Sequence, residues 1–361
     1  MKLNISPKIR EEVENILTEE YAPNEKSVNI KADLSLNINP YGVSSHVMKR
    51  LKEITNDQIS HYYIENKHLV EKIADYIKVR PENILIGDGC DGCLDMIAKT
   101  YIKKGDTVVI PIPTFHRYEF HTKIMGGNTL FVPMYNFIFN AESLLCEANK
   151  VNANIVFLCN PNNPTGIEIN KDEKTKFIEN FSGLIVIDEA LADITEINGS
   201  RLIEKHKNII IVRSFSKTFG LAALRIGYVV ADVEIINAIK KTSSPFRVNG
   251  LAQELAIEAL NDANHIEQSK LFLEEERTYL AKELDNLGLP YSESITTNFL
   301  LDIEKLGSFE NTFLMLKEKG VLVTDAHPFK LPKNTYVRIA ISSKSENRYF
   351  IKTLNELMNN N

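Results

Sequence analysis

Lys217 stands in Ser214-Phe215-Ser216-Lys217-Thr218-Phe219-Gly220, a lysine set between aromatic and small residues. Such surroundings desolvate an amine and lower its proton affinity, as Schiff-base chemistry requires; the plain alternative is a solvated serine and lysine loop. Arg225 follows eight residues later. Asp188, in Asp188-Glu189-Ala190, comes straight after the apolar run 184–187. A carboxylate placed there is half-buried and needs a cationic partner, unless it only caps a turn. The loop Cys159-Asn160-Pro161-Asn162-Asn163-Pro164-Thr165-Gly166 offers three amides. Its two X-Pro steps are expected to hold it rigid and extended. In Gly87-Asp88-Gly89-Cys90-Asp91-Gly92, glycines let backbone amides and a helix N-terminus approach an anion. An anion cradle, a buried carboxylate, amide donors and a lysine nucleophile together fit pyridoxal 5′-phosphate. The lysine would hold its aldehyde, the carboxylate its pyridine nitrogen, and amides and hydroxyls its O3′ and phosphate.

Side chains so far apart in the chain must be gathered by a scaffold. From about residue 33 to 232, β-branched runs at 83–86, 107–110, 129–133, 155–158, 184–187, 208–213 and 226–230 alternate with helical stretches such as 92–101, 115–125 and 171–180. Several runs lack polar alternation, as in a mostly parallel sheet covered on both faces, so the expected class is doubly wound α/β. Ligands then bind beyond the carboxyl ends of the strands, where the four loops fall. A helix at 7–19 and an irregular arm through Tyr21 precede this region. A long helical stretch at 252–286, interrupted near 261–264, follows it. Then come strands at 298–303, 320–323 and 336–341, with helices at 309–319 and 346–358. The expected parts are an N-terminal helix and arm (1–32), a large cofactor-binding α/β unit (33–250) and a smaller α+β unit (251–361).

The 361 residues are 43% hydrophobic and 25% charged, which argues against disorder. A formal net charge of −6 without a basic stripe argues against nucleic-acid binding. Apolar runs too short to span a bilayer, and an opening without a signal-like apolar core, make a cytoplasmic, non-membrane protein the expectation. Cys90 and Cys93 form a single C-x-x-C pair with no second pair, so neither a metal nor a redox site is expected.

The ordered set Asn160-Pro161-Asn162-Asn163-Pro164-Thr165-Gly166, Asp188-Glu189-Ala190, and Ser214-Phe215-Ser216-Lys217 with Arg225 resembles the fold-type I aminotransferases. It is most similar to the histidinol-phosphate aminotransferase branch, which includes threonine-phosphate decarboxylases. The likeness runs from Asn37-Ile38-Asn39-Pro40 to Arg338-Ile339-Ala340-Ile341. It implies Lys217 as Schiff-base lysine and proton shuttle, Asp188 as partner of the pyridine nitrogen, Asn163 as ligand of O3′ and Phe115 as the stacking ring. It implies a phosphate cup of the Cys90 and Asp91 amides, the Ser214 and Ser216 hydroxyls and Arg225. Tyr62 would reach that phosphate from the neighbouring subunit, making a homodimer. Arg338 would clamp the substrate's carboxylate or phosphate, with Asn37 and Tyr21 also on the substrate side.

Departures from the pattern bear on the substrate. Leu191 replaces a tyrosine that donates to O3′. Thr324 replaces an arginine that helps hold the substrate phosphate, which counts against histidinol phosphate itself. Arg247 and His116 stand where the family shows other residues and are candidate specificity residues. The resemblance thus implies a transaminase acting on a small, anionic, possibly phosphorylated keto substrate, with L-glutamate as donor. A decarboxylase of a small phosphorylated amino acid is the alternative, since the angle of the bond to be broken is invisible to spacing. A cofactor-binding protein without chemistry would have lost Lys217 or Asp188, and both are present.

Overall fold

The computed structural model describes residues 8–14, 16, 29–195 and 197–359. Among them are twelve strands: β1 (Ala32–Asp33), β2 (Ile84–Gly87), β3 (Thr107–Ile112), β4 (Asn128–Pro133), β5 (Ile155–Cys159), β6 (Leu184–Asp188), β7 (Ile209–Ser214), β8 (Gly227–Ala231), β9 (Asn298–Asp302), β10 (Val321–Leu322), β11 (Thr324–Asp325) and β12 (Tyr336–Ala340). Seven of them form the main sheet in the order β2-β8-β7-β6-β5-β3-β4. Neighbours pair in parallel except at β8, which runs antiparallel to both β2 and β7.

Uninterrupted apolar runs become central strands because both faces are covered. In β7, Ile209 and Ile211 belong to one core cluster while Ile210 and Val212 belong to the cluster on the other side. Ile185 and Ile187 of β6 and Val186 divide the same way. The covering helices carry local start signals. Asn170 and Asp232 accept backbone N–H groups at the starts of Lys171–Asn180 and Val233–Thr242.

Strands β11, β12 and β9 form a three-stranded antiparallel sheet, and β1 pairs in parallel with β10. Of the strand expected at 320–323, Val321–Leu322 forms and pairs with β1; a separate short strand, Thr324–Asp325, follows it and pairs with β12. The interruption in the long C-terminal helix is real, with Asp262 separating Gly250–Asn261 from Ala263–Asn286 and capping the second. The helix Gly250–Asn261 was expected to belong with the smaller unit, yet Ala252, Leu255 and Ala256 pack into the main sheet's core. Core membership changes inside the helix Ala263–Asn286, between Ile266 and Leu273. Of the helix expected at 7–19, the described part is Glu11–Glu14.

Candidate active site

At the carboxyl ends of β3, β5, β6 and β7 the chain encloses a cavity of about 670 Å³. Asp188 ends β6 and Ser214 ends β7, so each polar group is delivered by a strand whose preceding residues are core. Asp188 is 4% exposed. Burial pushes its carboxyl up to about 6, partly offset by hydrogen bonds from the Ala190 N–H (3.0 Å) and the Tyr118 hydroxyl (2.9 Å). The Ala190 contact is the turn-capping role weighed from the sequence, held together with a cavity-facing one. Lys217 Nζ donates to the Asn37 carbonyl. Burial, with Arg338 as the next contributor, draws its amine down to about 8.

Gly89 has φ +82°, and a Cβ there would lie 2.8 Å from a terminal nitrogen of Arg225. A glycine at this position therefore lets the guanidinium rest against the start of the helix Gly89–Tyr101, making an anion cradle with the first helical N–H groups. Gly227 does the same for β8, since its Cβ would press on Gly89 and the Cys90 nitrogen. Burial, then the nearby Asp188, pushes the Cys90 thiol well up, so it is a neutral wall group. These features fit pyridoxal phosphate: a cradle for its phosphate, a buried carboxylate for its ring nitrogen, and an amine of reduced proton affinity. Asn163 fits too: among the described residues its Oδ1 is buried without a hydrogen-bond partner.

The cavity gathers Cys90, Asp91, Phe115, Asn163, Asp188, Ser214, Ser216, Lys217 and Arg225 of the expected cofactor set, and Asn37, Arg338 and His116 of the expected substrate set. Asn37 does so with its carbonyl. Its side chain accepts from Thr297 Oγ1 and donates to Asn298 Oδ1 at 3.1 Å. Leu191 presents an apolar face there and also packs into the second core. Arg338 is 5% exposed and donates to the Ser35 carbonyl and, at 3.1 Å, to Thr324 Oγ1. The threonine that replaces the family's arginine thus orients Arg338.

Arg247 corrects the sequence reading. It does not line the cavity; its guanidinium donates to the Ile86 carbonyl at 2.5 Å and to Glu65 at 2.6 Å. Tyr62 lies outside the same cavity, 84% exposed and stacked on Phe246 with ring centroids 4.8 Å apart. Tyr21 is outside the described residues. The asparagine loop is not extended either. Both of its proline bonds are cis, and it closes on itself through Gly166 N–H to Asn162 O (2.7 Å) and Asn162 N–H to Ile167 O (2.9 Å). Asn160 and Asn162 are buried and turned to the protein rather than to the cavity. The Asn160 Oδ1 accepts from Ile169 N–H, and the Asn162 amide donates to Pro113 O and Thr165 Oγ1. Only Asn163 of the three lines the cavity.

Two contributors escaped the sequence reading. Tyr118 is fully buried, stacks on Phe157 (5.0 Å, 3° between planes) and donates to Asp188. Phe115 lies before the helix Arg117–Ile124, so no helical spacing ties Tyr118 to it. Arg117 lines the cavity and forms a bidentate pair with Asp91, at 2.7 and 2.9 Å. His121 Nε2 lies 2.9 Å from the same carboxylate. These contacts outweigh burial and hold Asp91 far below the usual carboxylate range.

A doubly wound, mostly parallel sheet bearing this lysine, carboxylate and anion cradle at its strand ends defines a pyridoxal-phosphate enzyme of fold type I. Comparison with known proteins places it more closely. The family model "Aminotransferase class I and II" matches residues 29–354. The histidinol-phosphate aminotransferase of Caldicellulosiruptor saccharolyticus is 34% identical over 94% of this chain and 97% of its own. The structure of histidinol-phosphate aminotransferase from Sinorhizobium meliloti in complex with pyridoxal-5′-phosphate superposes with a TM-score of 0.84 at 24% identity, covering 92% of each chain. That of L-threonine-O-3-phosphate decarboxylase from Porphyromonas gingivalis does so with 0.79 at 28% identity, covering 91% of this chain and 99% of the other. This chain belongs to the class I and II aminotransferase family, and its cofactor is pyridoxal 5′-phosphate.

Proposed function

We propose that this aminotransferase moves an amino group between L-glutamate and a small anionic keto substrate that carries a phosphate. The observation that supports this reading best is the company of Lys217: an amine drawn down to about 8 shares one cavity with the buried Asp188 and the buried Arg338. When bound, pyridoxal phosphate supplies the electron sink for the pair left on the substrate's Cα. Lys217 Nζ takes the proton from Cα. Asp188 keeps the ring nitrogen protonated, and Asn163 and Phe115 fix the ring's angle. The Cys90 and Asp91 N–H groups, the Ser214 and Ser216 hydroxyls and Arg225 hold the cofactor phosphate. Arg338 holds the substrate's carboxylate as a fork, with Ser35 and Thr324 fixing that fork from behind. Relatives named for histidinol phosphate support a phosphorylated substrate.

The working unit in this proposal is a homodimer with Tyr62 reaching the neighbour's cofactor. Tyr62, Ile64, Ile59 and Phe246 are all more than half exposed, and Tyr62 stacks on Phe246; apolar side chains left in water like these suit a subunit contact. A cytoplasmic setting is part of the same proposal; among the described residues no helix is long and apolar enough to cross a membrane.

The test is a half-reaction. L-Glutamate added alone to the holoenzyme is expected to bleach the visible cofactor band and release one 2-oxoglutarate per site. The likeness to a threonine-phosphate decarboxylase keeps one second reading in view. An unchanged band with glutamate, together with carbon dioxide release from O-phospho-L-threonine, would replace transamination by decarboxylation.

A further inference from the structure

Among the described residues the cavity wall carries four arginine or lysine side chains: Arg117, Lys217, Arg225 and Arg338. Three have work in the reaction just proposed, Lys217 at the reacting carbon, Arg225 at the cofactor phosphate and Arg338 at the substrate carboxylate. Arg117 has none. Its geometry is that of a prepared binding group. The Nε and one Nη are fixed by both oxygens of Asp91, at 2.7 and 2.9 Å. The guanidinium carbon lies over the Phe120 ring, 3.7 Å from its centre, a second contact that holds it. Among the described residues the remaining Nη makes no hydrogen bond, and Arg117 and Phe120 both face the cavity. Asp91 also has His121 Nε2 2.9 Å from its Oδ1, so its carboxylate is held from two sides. Arg247, a candidate specificity residue from the sequence, points elsewhere.

We propose that Arg117 is a specificity-determining residue that binds the phosphate of the substrate's side chain through its remaining Nη. This rests on the phosphorylated-substrate reading above and adds the residue that selects it. A guanidinium held by a carboxylate on one edge and a ring on one face has already lost its rotamer freedom, so engaging a phosphate costs it little ordering. The group that must be told apart is a dianion against a hydroxyl, a difference that a charge-assisted hydrogen bond reads strongly.

The experiment is a titration of the holoenzyme, following the visible cofactor band, with O-phospho-L-threonine and L-threonine. Both present the same α-carboxylate to Arg338 and differ only in the phosphate. The wild-type enzyme is expected to bind the phosphorylated ligand at least thirtyfold more tightly. Arg117→Gln should cut that preference by tenfold or more while changing the dissociation constant of L-threonine by less than twofold, and Arg117→Lys should restore part of it. Retention of pyridoxal phosphate on dialysis should be unchanged. A preference kept intact in Arg117→Gln overturns the proposal, as does wild-type enzyme without one. Parallel loss of both ligands and of cofactor also overturns it, because Arg117 then only braces the helix that carries Asp91. The glutamate half-reaction and carbon dioxide release separate the two questions: if glutamate leaves the band unchanged and O-phospho-L-threonine releases carbon dioxide while the phosphate preference depends on Arg117, the transaminase reading falls and Arg117 keeps its role.

Discussion

Asp188 and Lys217 are displaced in opposite directions by one cause, removal from water. The folded Asp188 binds its proton more tightly than an unfolded aspartate, with a pKa of about 6 against 3.8. Its contribution to stability is therefore intact below pH 4 and lost as the pH rises through 6. At neutral pH that is a cost of about 3 kcal/mol in the cofactor-free protein. Asp188→Asn should accordingly raise the stability of the cofactor-free enzyme at pH 7.5 by about 2 kcal/mol, with the gain vanishing near pH 4 and turnover abolished. Urea unfolding at the two pH values measures it. Tyr118→Phe removes a donor to the ionised carboxylate, so in the cofactor-free protein the Asp188 pKa should climb further, by about one unit, read as a larger loss of stability between pH 4 and 7.5 in urea unfolding. Lys217, Asp188 and Asn163 were legible because each follows an apolar run or sits in a distinctive loop. Tyr118 and Arg117 were not, since nothing in a helix's spacing says which polar residue turns toward a strand end.

At the scale of elements, two devices hold the loops. Glu189, next to Asp188, is 1% exposed and takes two nitrogens of Arg213 from the adjacent strand, while Asp193 takes the third at 3.1 Å. Arg213→Met would leave two buried carboxylates without their cation. A loss of about 3–5 kcal/mol is expected, read as a lower urea midpoint. The other device is Gly89. Gly89→Ala adds strain at φ +82° and a Cβ against Arg225. Pyridoxal phosphate should then dissociate at least tenfold more readily in an equilibrium dialysis, with the unfolding midpoint of the cofactor-free protein lowered by no more than about 1–2 kcal/mol. The strands themselves were readable from unbroken Val, Ile and Leu runs. The reversed direction of β8 was not, because a strand buried on both faces reads alike in either sense. Nor was the folding-back of the asparagine loop, which depends on hydrogen bonds between Asn162, Gly166 and Ile167.

Over the whole molecule, the substrate side of the cavity is assembled by segments far apart in sequence. Asn37 meets Thr297 and Asn298, Asn298 donates to the Pro164 carbonyl, and Arg338 reaches Ser35. Contacts of such separation are closed by tertiary packing and leave no local pattern to read. The exposed group around Tyr62 carries the whole-molecule prediction. If the proposed homodimer forms through this surface, Ile64→Asp and Phe246→Asp should give monomer in sedimentation and lower turnover at least tenfold, whereas Tyr62→Phe should leave the dimer intact and loosen the cofactor. The helix Ala263–Asn286 starts in one core, at Ile266, and from Leu273 onward belongs to the other. For anyone recombining this chain with a relative, the natural crossover is therefore mid-helix, near residue 270, rather than in the preceding turn. A chimera joined at 250 would inherit Ala252, Leu255 and Ala256 from one parent and the core they must fill from the other.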